Sequence, residues 1–383
     1  FGTYRTTYQN PLHVEALNYA LDNGITDIDT SSNYMYGEAE MLVGNALQSR
    51  DREKICVVTK GGYIQGPNMQ RVKEGWMVED LVEYSPECFH SISPQFLSDQ
   101  IDNSLKRLQT SYIDIYLLHN PEYYLMSNLK SNATDDEIKK HHQIMQDRVK
   151  KAFAFLETMV EKGKIRGYGI SSNSFSKKPN DYHFLEYKHL IGYAKEIAGE
   201  NHHFKAIQLP MNIYEKDGTP TARYFNENGI EVQINRPLNA FYMGGMLRLA
   251  SYSTCSNYNE LLKKVKEIPS KHLQDLIDDI IKKQSEFKFC GDVDDTVEYQ
   301  VIPYIVQNIR LDEKYFEVID EFLECYKRNI KHAISKIVAK NLNLSEPLDK
   351  EALEFLANKK YVSKTLIGMR HIDYVKNALS YNL

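Results

Sequence analysis

The sequence predicts a closed (β/α)8 barrel with loop insertions and a large helical insertion before the eighth strand. Eight short apolar segments alternate with helical patterns, which is typical of a parallel sheet covered by helices. Eight such units are the number that closes a TIM barrel. No G-x-G-x-x-G pattern follows any predicted strand, which argues against an open dinucleotide-binding sheet.

The predicted strands are short runs rich in apolar and β-branched residues. The first is the tail of a strand at residues 1–5, with Gly2 at the mouth of the predicted barrel. The third, KICVVTK, is apolar without alternation, as expected of a strand buried on both faces. In chain order the predicted strands are residues 1–5, 25–29, 54–60, 112–118, 165–171, 204–209, 230–234 and 362–367.

The predicted helices carry apolar residues at helical spacing. The first begins at Asn10-Pro11, where proline suits the first turn, and ends at Gly24. In the second, Met41, Leu42 and Leu47 are expected to face inward. The later helices are predicted at residues 38–47, 94–108, 149–160, 185–197, 221–226, 351–356 and 372–379.

Three segments interrupt this alternation. Residues 61–94 and 120–143 read as irregular, and the first is long enough to predict a lid or pocket wall. Residues from about 243 to 344 carry long helical patterns, with one candidate strand at 299–305. We expect this insertion to be a structural or oligomerisation element of a single barrel domain over residues 1–383, rather than a second catalytic domain.

The composition is that of an ordinary soluble globular protein, with 42% apolar and 26% charged residues. A net charge of −5 gives no electrostatic case for binding nucleic acid or an anionic membrane. No apolar run is long enough to predict a membrane span. Because the chain begins at Phe1, within a predicted strand, the sequence leaves open whether a targeting segment precedes it.

The cysteines and histidines predict neither a disulfide framework nor a metal site. The five cysteines are widely spaced and form no C-x-x-C pair, which fits a reducing cytoplasm. The His-His pairs at 141–142 and 202–203 lack partners at metal-ligand spacing and are expected on the surface or in loops.

Ionisable residues follow three successive predicted strands. In a barrel the active site is built at the C-terminal ends of the strands. Asp29, Lys60 and His119 end strands two, three and four, and Tyr34 lies in the loop after strand two. Each alone has an ordinary alternative role, as a turn cap, an exposed lysine, a loop histidine or a packing tyrosine. Their joint placement favours one catalytic site.

The four residues suit carbonyl reduction. A phenol has a pKa near ~10, and a neighbouring ammonium that is held by an aspartate is expected to lower the pKa of Tyr34. A neutral imidazole can hydrogen-bond and orient a carbonyl oxygen. Together they provide a general acid and an oxyanion site, while the nucleophile must arrive as hydride from a cofactor.

These motifs resemble the aldo-keto reductase family. The matching segments are DTSSNY followed by GEAE at residues 29–40, VVTK at 57–60, YIDIYLLH at 112–119, and GKIR with GISSN at 163–173. The resemblance implies Tyr34 as general acid and base, Lys60 and Asp29 as its tuning pair, and His119 as the carbonyl orienter. Ser31 stands where the family usually has alanine, and Asn120 where many members have tryptophan.

The resemblance also implies a nicotinamide cofactor that is bound without a glycine-rich loop. NADP(H) is favoured over NAD(H), because Arg370 precedes the last helix, where it suits a 2′-phosphate. No metal is implied. The implied cofactor contacts lie at strand ends and near the C-terminus: Gly2, Thr3, Tyr4, Ser172, Asn173, Gln208, Arg236, Pro237, Leu238, Gly368, Arg370, Tyr374 and Asn377.

The sequence therefore predicts an NADP(H)-dependent oxidoreductase that acts on a small aldehyde, ketone or alcohol. The alternative is a catalytically weak, cofactor-sensing regulatory or interaction protein on the same barrel. A short-chain reductase fold is disfavoured because a Y-x-x-x-K helix and a glycine fingerprint are absent from the sequence. The substrate, the reaction direction and the oligomeric state are not predicted.

Overall fold

The computed structural model describes residues 1–345 and 347–381. These residues form two compact units. The first comprises Phe1–Pro237 together with the C-terminal residues from Leu356, and the second is Leu238–Phe355. The organisation as a single domain, with an insertion at about 243–344, stays a prediction.

The strands of the described residues are short. They are β1 (Asp27–Asp29), β2 (Cys56–Gly61), β3 (Tyr63–Ile64), β4 (Val82–Ser85), β5 (Cys88–His90), β6 (Ile115–His119), β7 (Tyr168–Ser171), β8 (Phe204–Pro210), β9 (Glu231–Asn235), β10 (Asn239–Tyr242), β11 (Gly245–Arg248) and β12 (Lys364–Thr365).

The α-helices fall between these strands. They are α1 (Pro11–Asp22), α2 (Glu38–Leu47), α3 (Pro67–Lys73), α4 (Pro94–Leu108), α5 (Tyr123–Asn128), α6 (Asp135–Glu161), α7 (Leu190–Ala198), α8 (Thr219–Glu227), α9 (Tyr258–Lys266), α10 (Lys271–Lys283), α11 (Cys290–Thr296), α12 (Ile302–Asn308), α13 (Phe316–Leu342), α14 (Leu348–Ala357) and α15 (Ile372–Ser380).

The first unit is the predicted (β/α)8 barrel. Its parallel sheet runs in the order β1-β2-β6-β7-β8-β9-β12. Gly2 closes the sheet, because it pairs in parallel with Asp29 on one side and with Gly368 on the other. A Cβ atom at Gly2 would lie 3.2 Å from the carbonyl oxygen of Ile367, so the closure favours glycine. The predicted first strand is therefore present as a bridge at one residue.

Capping side chains begin two of the predicted helices, α1 and α4. The side chain of Asn10 accepts a hydrogen bond from the backbone N–H of Leu12 at the start of α1. Ser93 accepts one from the N–H of Phe96 at the start of α4. The predicted bounds of α2 and α4 are confirmed. Within α2, Leu42 and Leu47 are buried as expected, whereas Met41 is exposed.

Both segments of the barrel unit that were read as irregular contain regular structure. Residues 120–143 include α5 and the first turns of α6. A capping box starts α6, in which the Thr134 and Glu137 side chains satisfy each other's backbone N–H groups. Residues 61–94 contain α3 and an antiparallel sheet in the order β3-β5-β4. The polar composition of both segments concealed these elements.

The second unit is mainly helical, as predicted, but two details differ. Strands β10 and β11 form an antiparallel hairpin that was not predicted. The candidate strand at 299–305 is helical, with a π-helix at Val297–Val301 that leads into α12. A short apolar run does not distinguish a strand from a buried helix by periodicity, which accounts for this error.

Cys255 and Cys325 form a disulfide in the second unit, so the expectation that no cysteines pair is wrong for these two. They are 70 residues apart in the sequence, and the fold brings their Cα atoms to 5.3 Å. Spacing along the chain could not predict this approach. Within residues 1–345 and 347–381, no helix is long and apolar enough to cross a membrane.

Candidate active site

The barrel brings Asp29, Lys60 and His119 to the same end of adjacent strands. Strands β1 and β2 pair with Asp29 opposite Val58, and β2 and β6 pair with Lys60 opposite Leu117. Because these strands are parallel neighbours, their C-terminal ends meet at one edge of the barrel. Tyr34 reaches this edge from a 3-10 turn that follows β1.

Lys60 and Asp29 form a buried ion pair. The Lys60 Nζ atom lies 2.7 and 2.8 Å from the two carboxylate oxygens of Asp29, and it also donates to the carbonyl oxygen of Thr30 at 2.8 Å. The Lys60 side chain is 0% exposed and that of Asp29 is 7% exposed. The amide of Gln208 donates a further hydrogen bond to Asp29 Oδ1 at 2.8 Å. Every charged group of the pair is therefore compensated.

Tyr34 lies next to this pair. Lys60 Nζ is 3.4 Å from the Tyr34 hydroxyl oxygen and 4.9 Å from the centre of its ring. Burial, with smaller contributions from Asp29 and Tyr4, raises the pKa of Tyr34 well above its usual value near 10. The expected lowering of this pKa by Lys60 is wrong, because burial of the hydroxyl group outweighs any effect of the ammonium. Tyr34 is thus a protonated phenol at neutral pH.

His119 is a buried, neutral imidazole. Burial, followed by the charges of Lys60 and His90, lowers the pKa of His119 well below its usual value near 6.5. Its ring lies edge-on to that of Tyr34, with 6.0 Å between the ring centres. Its Nδ1 atom lies 3.0 Å from Ser31 Oγ. The Nε2 atom of His90 donates to the backbone carbonyl oxygen of His119 at 2.8 Å.

An aromatic and polar wall borders His119. The ring of Tyr63, from β3, packs edge-on to His119 at 4.8 Å. Asn120 has a positive φ of 51° and donates from Nδ2 to the Tyr63 hydroxyl at 2.6 Å. Tyr123 stacks on the His90 ring at 5.6 Å. Residues 61–94 therefore contribute side chains beside the candidate catalytic histidine, which supports their predicted role as a pocket wall.

Glu122 organises the loop that follows β7. Its Oε1 atom accepts hydrogen bonds from the backbone N–H groups of Asn173 at 2.9 Å and Ser174 at 3.2 Å. Burial raises the pKa of Glu122 to about 7. Ser172 is buried, whereas the Asn173 side chain is exposed and its Nδ2 atom lies 3.3 Å from Asn120 Oδ1. The implied Ser172–Asn173 pair thus lies beside the catalytic strand ends.

The implied cofactor residues at the start of the chain differ in accessibility. Gly2 closes the barrel, and Thr3 is fully buried with its hydroxyl donating to the carbonyl oxygen of Asp29 at 3.0 Å. Tyr4 is 59% exposed and lies edge-on to Tyr34 at 5.2 Å. Among these three residues, Tyr4 presents the largest accessible side chain next to the candidate acid.

The implied residues of strands β8 and β9 are mostly tied to other side chains. Gln208 is buried, and its amide bonds Asp29, Gln233 and Ser171. Arg236 forms an ion pair with Glu215 at 3.3 Å. Pro237 ends the first unit along the chain, and Leu238 begins the second. Their contact with a cofactor stays a prediction.

The implied residues near the C-terminus follow β12. Gly368 pairs with Gly2, and Arg370 is exposed two residues later, immediately before His371, the N-cap of α15. Tyr374 and Asn377 are exposed on α15. An exposed guanidinium beside a helix N-terminus provides positive charge, and the first turn of the helix provides free backbone N–H groups, so that both can bind an anion. Their cofactor contacts also stay predictions.

Sequence reasoning missed several residues that contact the candidate catalytic groups, as Ser31 and His90 do, or that bond their neighbours, as Asn33, Gln65 and Glu122 do. Ser31 and Asn33 lie inside the matched motif, and their polar side chains were the available signal. Gln65, His90 and Glu122 carried no signal, because they reach the site only through tertiary contacts.

Two further observations concern the rest of the described residues. A cavity of about 780 Å³ is lined by side chains within residues 177–188 and 216–227, and none of these belongs to the candidate catalytic set. In residues 1–345 and 347–381, no group of three or more His, Cys, Asp or Glu side chains is arranged to hold a metal ion.

The chain is similar to one family of known proteins. The sequence model of the Aldo/keto reductase family matches residues 1–277. A probable aldo-keto reductase 1 from Glycine max is 26% identical over 248 residues, which are 64% of this chain and 55% of that protein. An NADH-specific methylglyoxal reductase from Escherichia coli is 32% identical over 96 residues, covering 25% of this chain and 27% of that protein. The chain thus spans little more than half of the soybean relative.

The fold is similar to that of a solved aldo-keto reductase. The holo form of an aldo-keto reductase from Bacillus halodurans superposes with a TM-score of 0.52 at 18% identity, covering 100% of this chain and 85% of that one. This likeness concerns the fold alone.

Proposed function

The chain belongs to the aldo-keto reductase family, a family of oxidoreductases, and we infer that it transfers hydride between NADP(H) and a small aldehyde, ketone or alcohol. The observation that carries this proposal is the position of the Lys60 ammonium, 2.7 Å from the Asp29 carboxylate and 3.4 Å from the Tyr34 hydroxyl. Such an arrangement suits proton transfer to an oxygen that gains negative charge.

Tyr34 is the proposed general acid in reduction. Its O–H bond breaks as the proton moves to the oxygen of the former carbonyl group, and the phenolate that remains faces Lys60 Nζ. Burial raises the pKa of Tyr34, so the phenol keeps its proton until the substrate oxygen becomes basic. In the oxidative direction the phenolate takes the proton back from the alcohol.

Lys60 and Asp29 stabilise the phenolate. Burial lowers the pKa of Lys60, and the charge and hydrogen bonds of Asp29 oppose this effect. Without the carboxylate the buried amine would favour its neutral form and lose its attraction for the phenolate. His119 is the proposed partner of the substrate oxygen, and its neutral state avoids a second positive charge beside Lys60.

The cofactor supplies the hydride when it is bound, and this chain's residues suit it. The side chain of Asn173 is exposed beside Asn120, so it is available to a carboxamide. The Oδ1 atom of Asn235 is buried and accepts no hydrogen bond from the described residues, so it can accept one from a bound group. Arg370 is the proposed partner of a 2′-phosphate, which favours NADP(H). The Escherichia coli relative is named as NADH-specific, so the preference must be tested directly.

The proposal is tested with Tyr34→Phe in steady-state assays of NADPH consumption over a panel of aldehydes and ketones. We expect kcat to fall by ~10²- to 10⁴-fold, the usual contribution of a positioned proton donor, while NADPH binding is retained. Tyr36→Phe is the matched control, since Tyr36 is 65% exposed and has no assigned role.

Equal turnover by Tyr34→Phe and the parent would refute this mechanism. A parent protein that binds NADPH tightly but turns over no carbonyl compound or alcohol would instead support the cofactor-sensing alternative.

A further inference from the structure

A chain of hydrogen bonds leads away from His119 on the side opposite to its proposed substrate contact. Its Nδ1 atom lies 3.0 Å from Ser31 Oγ, Ser31 Oγ lies 2.7 Å from Asn33 Oδ1, and Asn33 Nδ2 lies 3.2 Å from Gln65 Oε1. Ser31 and His119 are buried, so water is excluded from the bond between them, whereas Asn33 and Gln65 are half-buried. The carbonyl oxygen of Lys60 is a more distant alternative acceptor for Ser31, at 3.4 Å.

The polarity of this chain determines which imidazole nitrogen carries the proton. The Ser31 hydroxyl has one hydrogen. When that hydrogen points to Asn33 Oδ1, the Ser31 oxygen accepts Nδ1–H from His119, and the neutral ring presents Nε2 as an acceptor. When it points to Nδ1, the ring presents Nε2–H, and Asn33 must then donate to Ser31 and accept from Gln65. Each tautomer therefore requires its own orientation of both amides.

A mismatch is costly at the His119 end of this hydrogen-bonded series, because the Ser31 hydroxyl and the His119 ring are buried there. Two donors or two acceptors facing each other leave a polar group unsatisfied, at ~1–3 kcal/mol, equivalent to a ~5- to 150-fold bias in an equilibrium. In the orientation observed, Asn33 donates to Gln65 and accepts from Ser31, which favours the tautomer with the proton on Nδ1.

We propose that Ser31, Asn33 and Gln65 are positioning residues that set the tautomer of His119. The observed orientation makes Nε2 an acceptor for the hydroxyl group of an alcohol, and the reversed orientation makes it a donor to a carbonyl oxygen. The consequence for turnover rests on the proposed function, whereas the control of the tautomer does not. The hydrogen-bonded series thereby couples two amide orientations to the hydrogen bond, donated or accepted, that His119 makes with a bound substrate.

Asn33→Asp tests the proposal, because a carboxylate only accepts hydrogen bonds and holds the chain in the observed polarity. We expect kcat/KM for carbonyl reduction to fall by ~5- to 150-fold, and kcat/KM for oxidation of the corresponding alcohol to fall by the same factor, because both directions pass through one transition state. The imidazole nitrogen chemical shifts of His119, measured by NMR in isotope-labelled protein and assigned with His119→Gln, should report the proton on Nδ1.

The Ser31→Ala background distinguishes an effect that passes through the hydrogen bonds from an effect of the new negative charge alone. Asn33→Asp introduced into the Ser31→Ala background should leave the tautomer and the rate of reduction as they are in Ser31→Ala alone, since the link to His119 is gone. Ser32→Ala is the neighbouring serine control and should leave both unchanged.

Nitrogen shifts that place the His119 proton on Nε2, in the parent or in Asn33→Asp, would overturn the proposal, whether or not the protein turns over a substrate. An effect of equal size in the Ser31→Ala background would also overturn it, because charge alone would then be the cause. If the nitrogen shifts place the His119 proton on Nδ1 in a protein that shows no turnover, the role of the hydrogen-bonded series is supported and only the proposed function is refuted.

Discussion

Removing the charge of Asp29 tests how the barrel supports Lys60. Asn retains the size of the side chain and an oxygen that can accept from Gln208, but the Lys60 ammonium would lose its counter-charge at 0% exposure. Breaking a buried ion pair on one side typically costs ~3–5 kcal/mol, because the other charge stays buried. We therefore expect Asp29→Asn to lower the free energy of unfolding by ~3–5 kcal/mol at neutral pH.

The chain contains a matched control on the same strand. Asp27 pairs with Lys364 at 2.6 Å, but these side chains are 45% and 25% exposed. Exposed pairs contribute ~0–1 kcal/mol, so Asp27→Asn should lower the free energy of unfolding by no more than ~1 kcal/mol. The two variants thus compare the same chemical change at two degrees of burial.

Urea denaturation followed by tryptophan fluorescence measures the difference. Trp76 is the one tryptophan of the chain, and it packs against Phe96 and Arg71 within the barrel unit. Linear extrapolation of the transition gives the free energy of unfolding. Losses for Asp29→Asn and Asp27→Asn that agree within ~0.5 kcal/mol would refute the reasoning, since burial would then not decide the strength of the pair.

The pH dependence gives a second check. In Asp29→Asn, burial of Lys60 is opposed only by the smaller effect of Glu40, so the pKa of Lys60 falls further below the usual value near 10.5. At pH values below the folded pKa, Lys60 is charged in both the folded and the unfolded protein, and the loss of stability in Asp29→Asn is largest. It should shrink as pH rises through the folded pKa, because the buried amine becomes neutral. A destabilisation that grows with pH would contradict this account.

Three further predictions address pH, cofactor and packing. Because burial lowers the pKa of His119 and raises that of Tyr34, the rate of reduction should stay level between pH ~6 and ~9, and a fall centred near ~6.5 would contradict this. Arg370→Ala should weaken NADPH binding by ~10-fold or more and leave NADH binding within ~2-fold in fluorescence titrations, whereas equal losses would refute the 2′-phosphate contact. Gly169→Ala places a Cβ atom 1.8 Å from the carbonyl oxygen of Ala206 and should cost ~1–3 kcal/mol or more of unfolding free energy. Gly192→Ala, with no atom within 4 Å, should be neutral or stabilise α7 by up to ~1 kcal/mol, and equal urea midpoints for the two variants would contradict this.

The sequence predicted the barrel because strand composition and helix caps are local signals. The motif at Asp29–Tyr34 and the strand ends at Lys60 and His119 could be located for the same reason, since parallel strands bring their C-terminal ends together. Local polarity misled the reading of α5 and α6, although the Thr134–Glu137 capping box was present in the sequence.

Properties that depend on burial and on distant contacts could not be predicted. The raised pKa of Tyr34 follows from the surroundings of its hydroxyl group in the folded state. His90 reaches His119 from another strand, and Cys255 meets Cys325 across 70 residues. No spacing rule connects such pairs, so their partners become visible only in three dimensions.

The position of the second unit along the chain has a consequence for how the barrel forms. Strands β9 and β12 are hydrogen-bonded neighbours, yet Leu238–Phe355 lies between them in the sequence. Joining the ends of a disordered loop of ~120 residues costs ~4 kcal/mol of chain entropy. A short flexible connection of ~15 residues would cost only ~2 kcal/mol. If the second unit folds first, its own compactness removes much of that entropy before the last strand docks. The folded unit then lowers the entropy cost of pairing β9 with β12. Replacing it with a flexible segment of equal length should slow closure of the barrel, which Trp76 fluorescence can follow during refolding. An unchanged refolding rate would show that the unit has no such effect.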